Sequence, residues 1–240
     1  MPPARHRRPP ALAAAAALAL AIAALPARAA TPMTYVALGD STATGVGSDS
    51  GGGYPQRLAR RLEAEGIQVR LVNLGVAGAT AADLRRDQLP KAMSSGAVLV
   101  TIGIGLNDVV QRRPLRDFAR DLHTVADLVK RTKAAVVIAT LPDLTQAPGG
   151  AEAGLGRRIE QYNAAIQTAA ERHGFQVADL HAASREAVRA SGAGKVFASD
   201  GFHPSALGYE RWAEAMLPAV ERALGPRVQA RRAPAPGRPQ

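Results

Sequence analysis

The apolar residues of this chain fall in short unbroken runs separated by longer stretches of helical period, and few folds accept that rhythm. Thr34–Leu38, Gln68–Asn73, Val98–Ile102, Ala134–Thr140 and Phe175–Ala178 read as five strands. Val98–Ile102 is apolar almost throughout, as a strand covered on both faces should be. Between the runs, Tyr54, Leu58 and Leu62 are four apart and share one face of a helix over Tyr54–Glu65. Thr80–Gln88 reads as a short helix capped by Thr80, with Asp83 in its first turn. Pro114–Arg131 opens on a proline whose missing N–H costs nothing there, and Leu115, Phe118, Leu122, Val125 and Val129 form its inward stripe. Gly154–Arg172 turns Leu155, Ile159, Tyr162 and Ile166 inward, and Ser205–Leu224 does so with Tyr209, Trp212, Met216, Val220 and Leu224. Strands alternating with helices predict an α/β fold with a mostly parallel sheet. Gly47–Gly53 and Pro148–Gly154 have the composition of surface loops, and no internal repeat is visible.

The length of 240 residues suits one domain with extensions. Arg5, Arg7 and Arg8 precede an alanine- and leucine-rich core from Ala11 to Leu25, and Ala27-Arg28-Ala29 has the small-x-small form of a cleavage site. Residues 1–29 are therefore expected to be a secretory signal peptide, removed on export to the periplasm or beyond the cell. A bilayer span needs about 20 apolar residues, more than this core holds, so no membrane anchor is expected in the mature form. Arg7-Arg8 hints at twin-arginine export, although the adjoining prolines fit that signal poorly.

Charge needs placing before it is interpreted. Of the net +10, four arginines lie in residues 1–30 and four in residues 227–240, with no acid in either stretch, leaving +2 for the body. The body has no basic stripe with interleaved aromatics, so nucleic acid is not an expected partner. Residues 227–240 read as a disordered Arg/Pro tail, and residues 30–226 as the folded domain. The absence of cysteine excludes disulfides, a thiol nucleophile, Cys-ligated zinc and a lipoprotein anchor.

Two stretches carry chemistry. Leu38-Gly39-Asp40-Ser41-Thr42 ends the first strand, and Asp200-Gly201-Phe202-His203-Pro204 precedes the last helix. Together they hold a hydroxyl, an imidazole and a carboxylate, the three parts of an acyl-transfer site. Singly, Ser41 could be a helix N-cap and His203 a loop histidine. Two further blocks come after strands. Asn73-Leu74-Gly75-Val76-Ala77-Gly78-Ala79-Thr80 offers at Gly78 a backbone N–H that a substrate oxygen could approach closely. Gly103-Ile104-Gly105-Leu106-Asn107-Asp108 offers the Asn107 amide as a donor. A parallel sheet brings all four blocks to one edge, where such sheets bind ligands. Asp40 and Asp108 are expected to hold loops by hydrogen bonds. The glycines at 45, 47 and 51–53 lack the Gly-Lys-Ser/Thr ending of a phosphate loop, so no nucleotide is expected. His123, His173 and His181 have no metal-ligand spacing and are expected to be structural.

The blocks Gly39-Asp40-Ser41, Gly78, Gly105-x-Asn107-Asp108 and Asp200-x-x-His203 resemble those of the SGNH hydrolases, also called the GDSL esterase/lipase superfamily, over about residues 34–224. One departure is Thr42, where leucine is commonest. The resemblance implies a three-layer α/β/α sandwich with a five-stranded parallel sheet, doubly wound as in flavodoxin, and neither metal nor organic cofactor. It implies Ser41 as nucleophile, His203 as base and Asp200 as its orienter, with the Ser41 N–H, the Gly78 N–H and the Asn107 side chain as oxyanion hole. The activity implied is hydrolysis of carboxylic esters, the substrate being a small-molecule, lipid or carbohydrate ester; with the export signal of residues 1–29, the expectation is a secreted enzyme, and a monomer. Ile104, Leu106 and Phe202 are expected to line the substrate pocket with apolar surface. The competing expectations are a carbohydrate O-acetyl esterase, with the same machinery, and a catalytically inactive binding module.

Overall fold

In the computed structural model, which describes residues 31–48 and 51–225, the five expected strands are present. They are β1 (Met33–Gly39), β2 (Val69–Asn73), β3 (Leu99–Gly103), β4 (Ala135–Ala139) and β5 (Gln176–Ala178), each ending within a residue of expectation. All pair in parallel, in the order β2-β1-β3-β4-β5. This is the doubly wound order with its switch point beside β1, where the chain crosses from one side of the sheet to the other. The expected signal peptide (1–29) and basic tail (227–240) lie outside the described residues.

The helices are α1 (Ser41–Thr44), α2 (Tyr54–Ala64), a composite α3 (Ala81–Asp83, a π-turn Leu84–Gln88, then Leu89–Met93), α4 (Leu106–Val110), α5 (Leu115–Lys130), α6 (Leu155–His173), α7 (Leu180–Ser191), α8 (Ala193–Val196) and α9 (Ala206–Leu224). Strand side chains alternate between two layers. Tyr35 and Ala37 of β1 share one core with Tyr54, Leu58 and Leu62 of α2 and Tyr209, Trp212, Met216 and Val220 of α9. Val36 and Leu38 share the opposite core with Leu84 of α3, Phe118 and Leu122 of α5, and Ile159 and Ile166 of α6. None of these is more than 3% exposed. Burying one large apolar side chain stabilises by about 1.5–3 kcal/mol, so the two layers hold the sheet from both sides.

Several elements differ from expectation, the short helices α1, α4 and α8 among them. The helix expected to end at Gln88 runs on to Met93, because the π-turn carries the chain past Gln88 and Pro90 then occupies a first-turn position. A whole helix, α7, was not expected. Its buried residues are only Leu180, Ser184 and Ala187, too few large apolar groups to show a period. Among the described residues no helix is long and apolar enough to cross a membrane.

Candidate active site

The C-terminal ends of β1, β2 and β3 and the loop before α9 meet at one edge of the sheet. Ser41 begins α1 directly after β1, and Asp40 caps that helix: its Oδ1 accepts from the Thr42 N–H at 2.9 Å and the Thr42 hydroxyl at 2.8 Å. The Thr42 departure from leucine thus gives Asp40 a second donor. Ser41 is 8% exposed, and its Oγ lies 2.9 Å from Nε2 of His203. Nδ1 of the same ring lies 2.6 Å from Oδ2 of Asp200. The other Asp200 oxygen accepts from the Phe202 N–H at 2.9 Å and the His203 N–H at 3.0 Å. Partial burial pushes the Asp200 carboxyl up, but these two N–H groups and the imidazole outweigh it and hold the group below the usual carboxylate range.

The loop carrying His203 is tied to itself and to its surroundings. Phe197 and Pro204 form an antiparallel bridge, Ala198 N–H donates to His203 O at 2.8 Å, and Gly149 N–H donates to Gly201 O at 3.0 Å. Ser205, with its Oγ accepting from Gly208 N–H, then starts α9.

Gly78 occupies a turn closed by Ala79 N–H to Val76 O at 3.1 Å, and its φ of +81° is one that L-residues adopt only with strain. Neither the Gly78 N–H nor the Ser41 N–H has an acceptor among the described residues. The Asn107 amide donates to Ala79 O at 2.9 Å. An amide has two N–H donors, so one remains without a protein partner among the described residues. Asp108 grips the same loop: fully buried, it accepts from Ala81 N–H at 2.9 Å through Oδ2 and from Arg113 through Oδ1. Burial pushes the Asp108 carboxyl up, against the pull of the Ala81 N–H and the guanidinium. Asp40 and Asp108 therefore hold loops, as their positions in the sequence suggested.

The structure brings Ser41, His203 and Asp200 into one hydrogen-bonded chain and sets Gly78, in a loop, and Asn107, in the first turn of α4, beside each other through the Asn107 bond to Ala79 O. The apolar residues divide differently from expectation. Ile104 and Leu106 are 3% and 5% exposed and belong to the core, lining a cavity no larger than about one water beside Asp40 and Thr42. They turn inward because the loop after β3 folds onto Phe118 and Leu141. Phe202 does line a groove of about 180 Å³, with Val110, Leu144, Ala147, Leu155 and Glu152. Sequence reasoning missed those five; the one signal was Val110, apolar yet close behind the Asn107-Asp108 pair. His173 is buried with Nδ1 3.6 Å from Asp127, and its ring meets those of His123 and Phe175. Among the described residues no three His, Cys, Asp or Glu are grouped to hold a metal.

A parallel sheet with a hydroxyl, imidazole and carboxylate in line at its C-terminal edge, beside unspent N–H donors, has the groups that acyl transfer requires. The GDSL-like lipase/acylhydrolase family profile matches residues 37–211, and the chain belongs to that family, the SGNH hydrolases. It is a carboxylic ester hydrolase. An acetylxylan esterase of Geobacillus stearothermophilus is 27% identical over 177 residues, 70% of this chain and 80% of that protein. Among solved structures, the fold is shared with Axe2, an acetylxylan esterase of the same organism (TM-score 0.68, 21% identity, 80% of this chain and 95% of that one). It is also shared with a lipase/acylhydrolase of Enterococcus faecalis (TM-score 0.66, 22% identity, 79% and 96%).

Proposed function

We propose that the chain is a secreted serine ester hydrolase working through an acyl-enzyme, with Ser41 as nucleophile, His203 as general base and acid, and Asp200 as the group that orients the imidazole. The observation that carries this reading is the unbroken chain Asp200 Oδ2, His203 Nδ1, His203 Nε2, Ser41 Oγ, with links of 2.6 and 2.9 Å. His203 takes the Ser41 proton as Oγ bonds to the ester carbonyl carbon. The carbonyl oxygen, now anionic, accepts from the Ser41 and Gly78 N–H groups and the Asn107 amide. The C–O bond to the alcohol breaks, and the alcohol leaves with the proton from His203. Water, deprotonated by the same nitrogen, then attacks the acyl-serine, and the acid departs with Ser41 reprotonated. One such oxyanion donor is worth about 10²–10³ in turnover.

The apolar groove beside Phe202 supports acyl groups longer than acetyl. Each added methylene that enters it is worth ~0.8 kcal/mol, about fourfold in kcat/KM, until the groove is full. A second reading, a carbohydrate O-acetyl esterase, is favoured by the acetylxylan esterase among the relatives. Export rests on the basic, apolar and small-x-small pattern of residues 1–29.

Purified mature protein assayed on nitrophenyl esters of rising chain length, beside acetylated xylose, tests both readings. A rise from acetate to longer acyl groups supports the first, and preference for the sugar acetate supports the second. Ser41→Ala should fall to the residual of about 10³–10⁴ over the uncatalysed rate, with its melting temperature almost unchanged. Turnover in that variant equal to the wild type would refute the assignment.

A further inference from the structure

Strand β1 bonds toward β2 through its odd-numbered residues. Met33 N–H donates to Gln68 O at 2.7 Å, and Ala37 O accepts from Leu74 N–H at 2.9 Å. The N–H and C=O of one strand residue point the same way, so both polar groups of Gly39 also face that side. There β2 has already ended at Asn73. Val76 N–H reaches Gly39 O at 3.2 Å, but no backbone carbonyl of the β2 side takes up the Gly39 N–H.

Gln88 completes the ladder. Its Oε1 accepts from Gly39 N–H at 2.9 Å, and its Nε2 donates to Gly39 O at 2.7 Å. A carboxamide carries the same acceptor and donor as a peptide group, so this side chain replaces the missing peptide of β2. Gln88 is 2% exposed and is the last residue of the π-turn in α3. One inserted residue rotates the remainder of a helix by about 100° around its axis, and such turns are often found at functional sites. Gly39 O is shared between Gln88 Nε2 and Val76 N–H, which joins the turn carrying Ser41 to the loop carrying Gly78.

We propose that Gln88 is a positioning residue of the acyl-transfer site, fixing the Gly39 peptide and thereby the direction of the Ser41 hydroxyl and N–H relative to the Gly78 loop. The inference rests on Ser41 being the nucleophile. Gln88 does not touch the reacting atoms; it acts on geometry. A displacement near 1 Å at a reacting centre costs about 10²-fold.

The test is Gln88→Met, which keeps length and removes both hydrogen bonds, assayed on nitrophenyl butyrate with active sites counted by a fluorophosphonate label. The expected result is a fall in kcat per labelled site of about 10- to 100-fold, with KM within about twofold of wild type. A side chain that served stability alone would lower the melting temperature and leave kcat per labelled site intact. A kcat within twofold of wild type therefore overturns the proposal. Gln88→Leu, whose apolar end likewise makes neither hydrogen bond, covers the case where the thioether variant does not fold. It should show the same split, and wild-type kcat in it likewise overturns the proposal. In the wild-type protein, hydrogen exchange at Gly39 should be as slow as at Ala37; fast exchange there also overturns it. If the wild type does not hydrolyse the ester, or Ser41→Ala hydrolyses it equally well, the reading of the site itself fails. Hydrolysis lost in Ser41→Ala but unchanged in both Gln88 variants removes only the part assigned to Gln88.

Discussion

Asp40 stands next to Ser41 with 1% of its surface exposed, and burial pushes its carboxyl up to about 6 from 3.8. The Thr42 N–H and hydroxyl and the nearby His203 pull the other way, while Asp108 adds to the rise. A carboxyl harder to ionise in the folded state than in the unfolded chain favours folding while it is protonated. That advantage is complete below about pH 4 and is lost as pH rises through about 6. The shift corresponds to roughly 3 kcal/mol. Asp40→Asn keeps an oxygen for the Thr42 N–H and cannot ionise. Its stability relative to wild type should therefore climb between pH 4 and 6 and level off above. Urea midpoints at pH 4, 5, 6 and 8 check this, and a difference independent of pH would show that Asp40 does not titrate against its burial. Residue types of this kind were legible in the chain, since Asp40 and Asp108 were recognisable as loop-holding acids. Gln88 was not, because a glutamine 49 positions from its partner leaves no local signal.

At the scale of elements, β1, β3 and β4 were legible to within a residue because they are buried on both faces, the edge strands β2 and β5 because short apolar runs set them off from the helices, and α2, α5, α6 and α9 because each has a large-residue stripe. The helix α7 escaped notice since alanine and serine cover most of its inner face, and packing on α9 rather than periodicity decides it. At the start of α3, Thr80 and Asp83 form a reciprocal cap: Thr80 N–H donates to Asp83 Oδ2 at 3.0 Å, and Thr80 Oγ1 accepts from Asp83 N–H. Thr80→Ala should cost about 1 kcal/mol, lowering the melting temperature by about 2–4 °C, and no change would show the cap to be idle. The loop after α1 presses on the His203 loop. A Cβ on Gly47, at φ +84°, would sit 2.8 Å from His203 Cβ and 2.9 Å from Ala198 Cβ. Gly154 has a similar φ of +81° and nothing within 4 Å of that position. Alanine at either position should incur a similar backbone penalty of about 1–2 kcal/mol. Only Gly47→Ala should also lose turnover, by about tenfold or more, as His203 is displaced. Measuring melting and kcat on both variants separates the two effects; equal kcat would mean that this loop does not set His203.

At the scale of the whole molecule, the contact between Ser41 and His203 spans 162 positions of sequence. Periodicity alone could say that a parallel sheet would gather both loops at one edge. It could not say that they would touch, because that depends on how α9 lies across β4 and β5. The helix α9 begins two residues after the bridge at Pro204 and carries Trp212, the chain's one tryptophan, 3% exposed and packed on Tyr209. Tyr209 in turn donates to Val46 O at 2.7 Å, and Arg57 of α2 bonds Glu210, Ser48 Oγ at 2.9 Å and Gly52 O at 3.1 Å. The loops on both sides of the Ser41–His203 pair are thus fastened to the same helix. Separating His203 from Ser41 requires moving α9, and moving α9 exposes Trp212. In increasing urea, loss of ester hydrolysis, the Trp212 fluorescence change and loss of helical circular dichroism should fall on one curve, as for a cooperative unit. If hydrolysis vanished at clearly lower urea while Trp212 stayed buried, the His203 loop would be opening on its own, and the bonds from Tyr209 and Arg57 would not be what holds the site together.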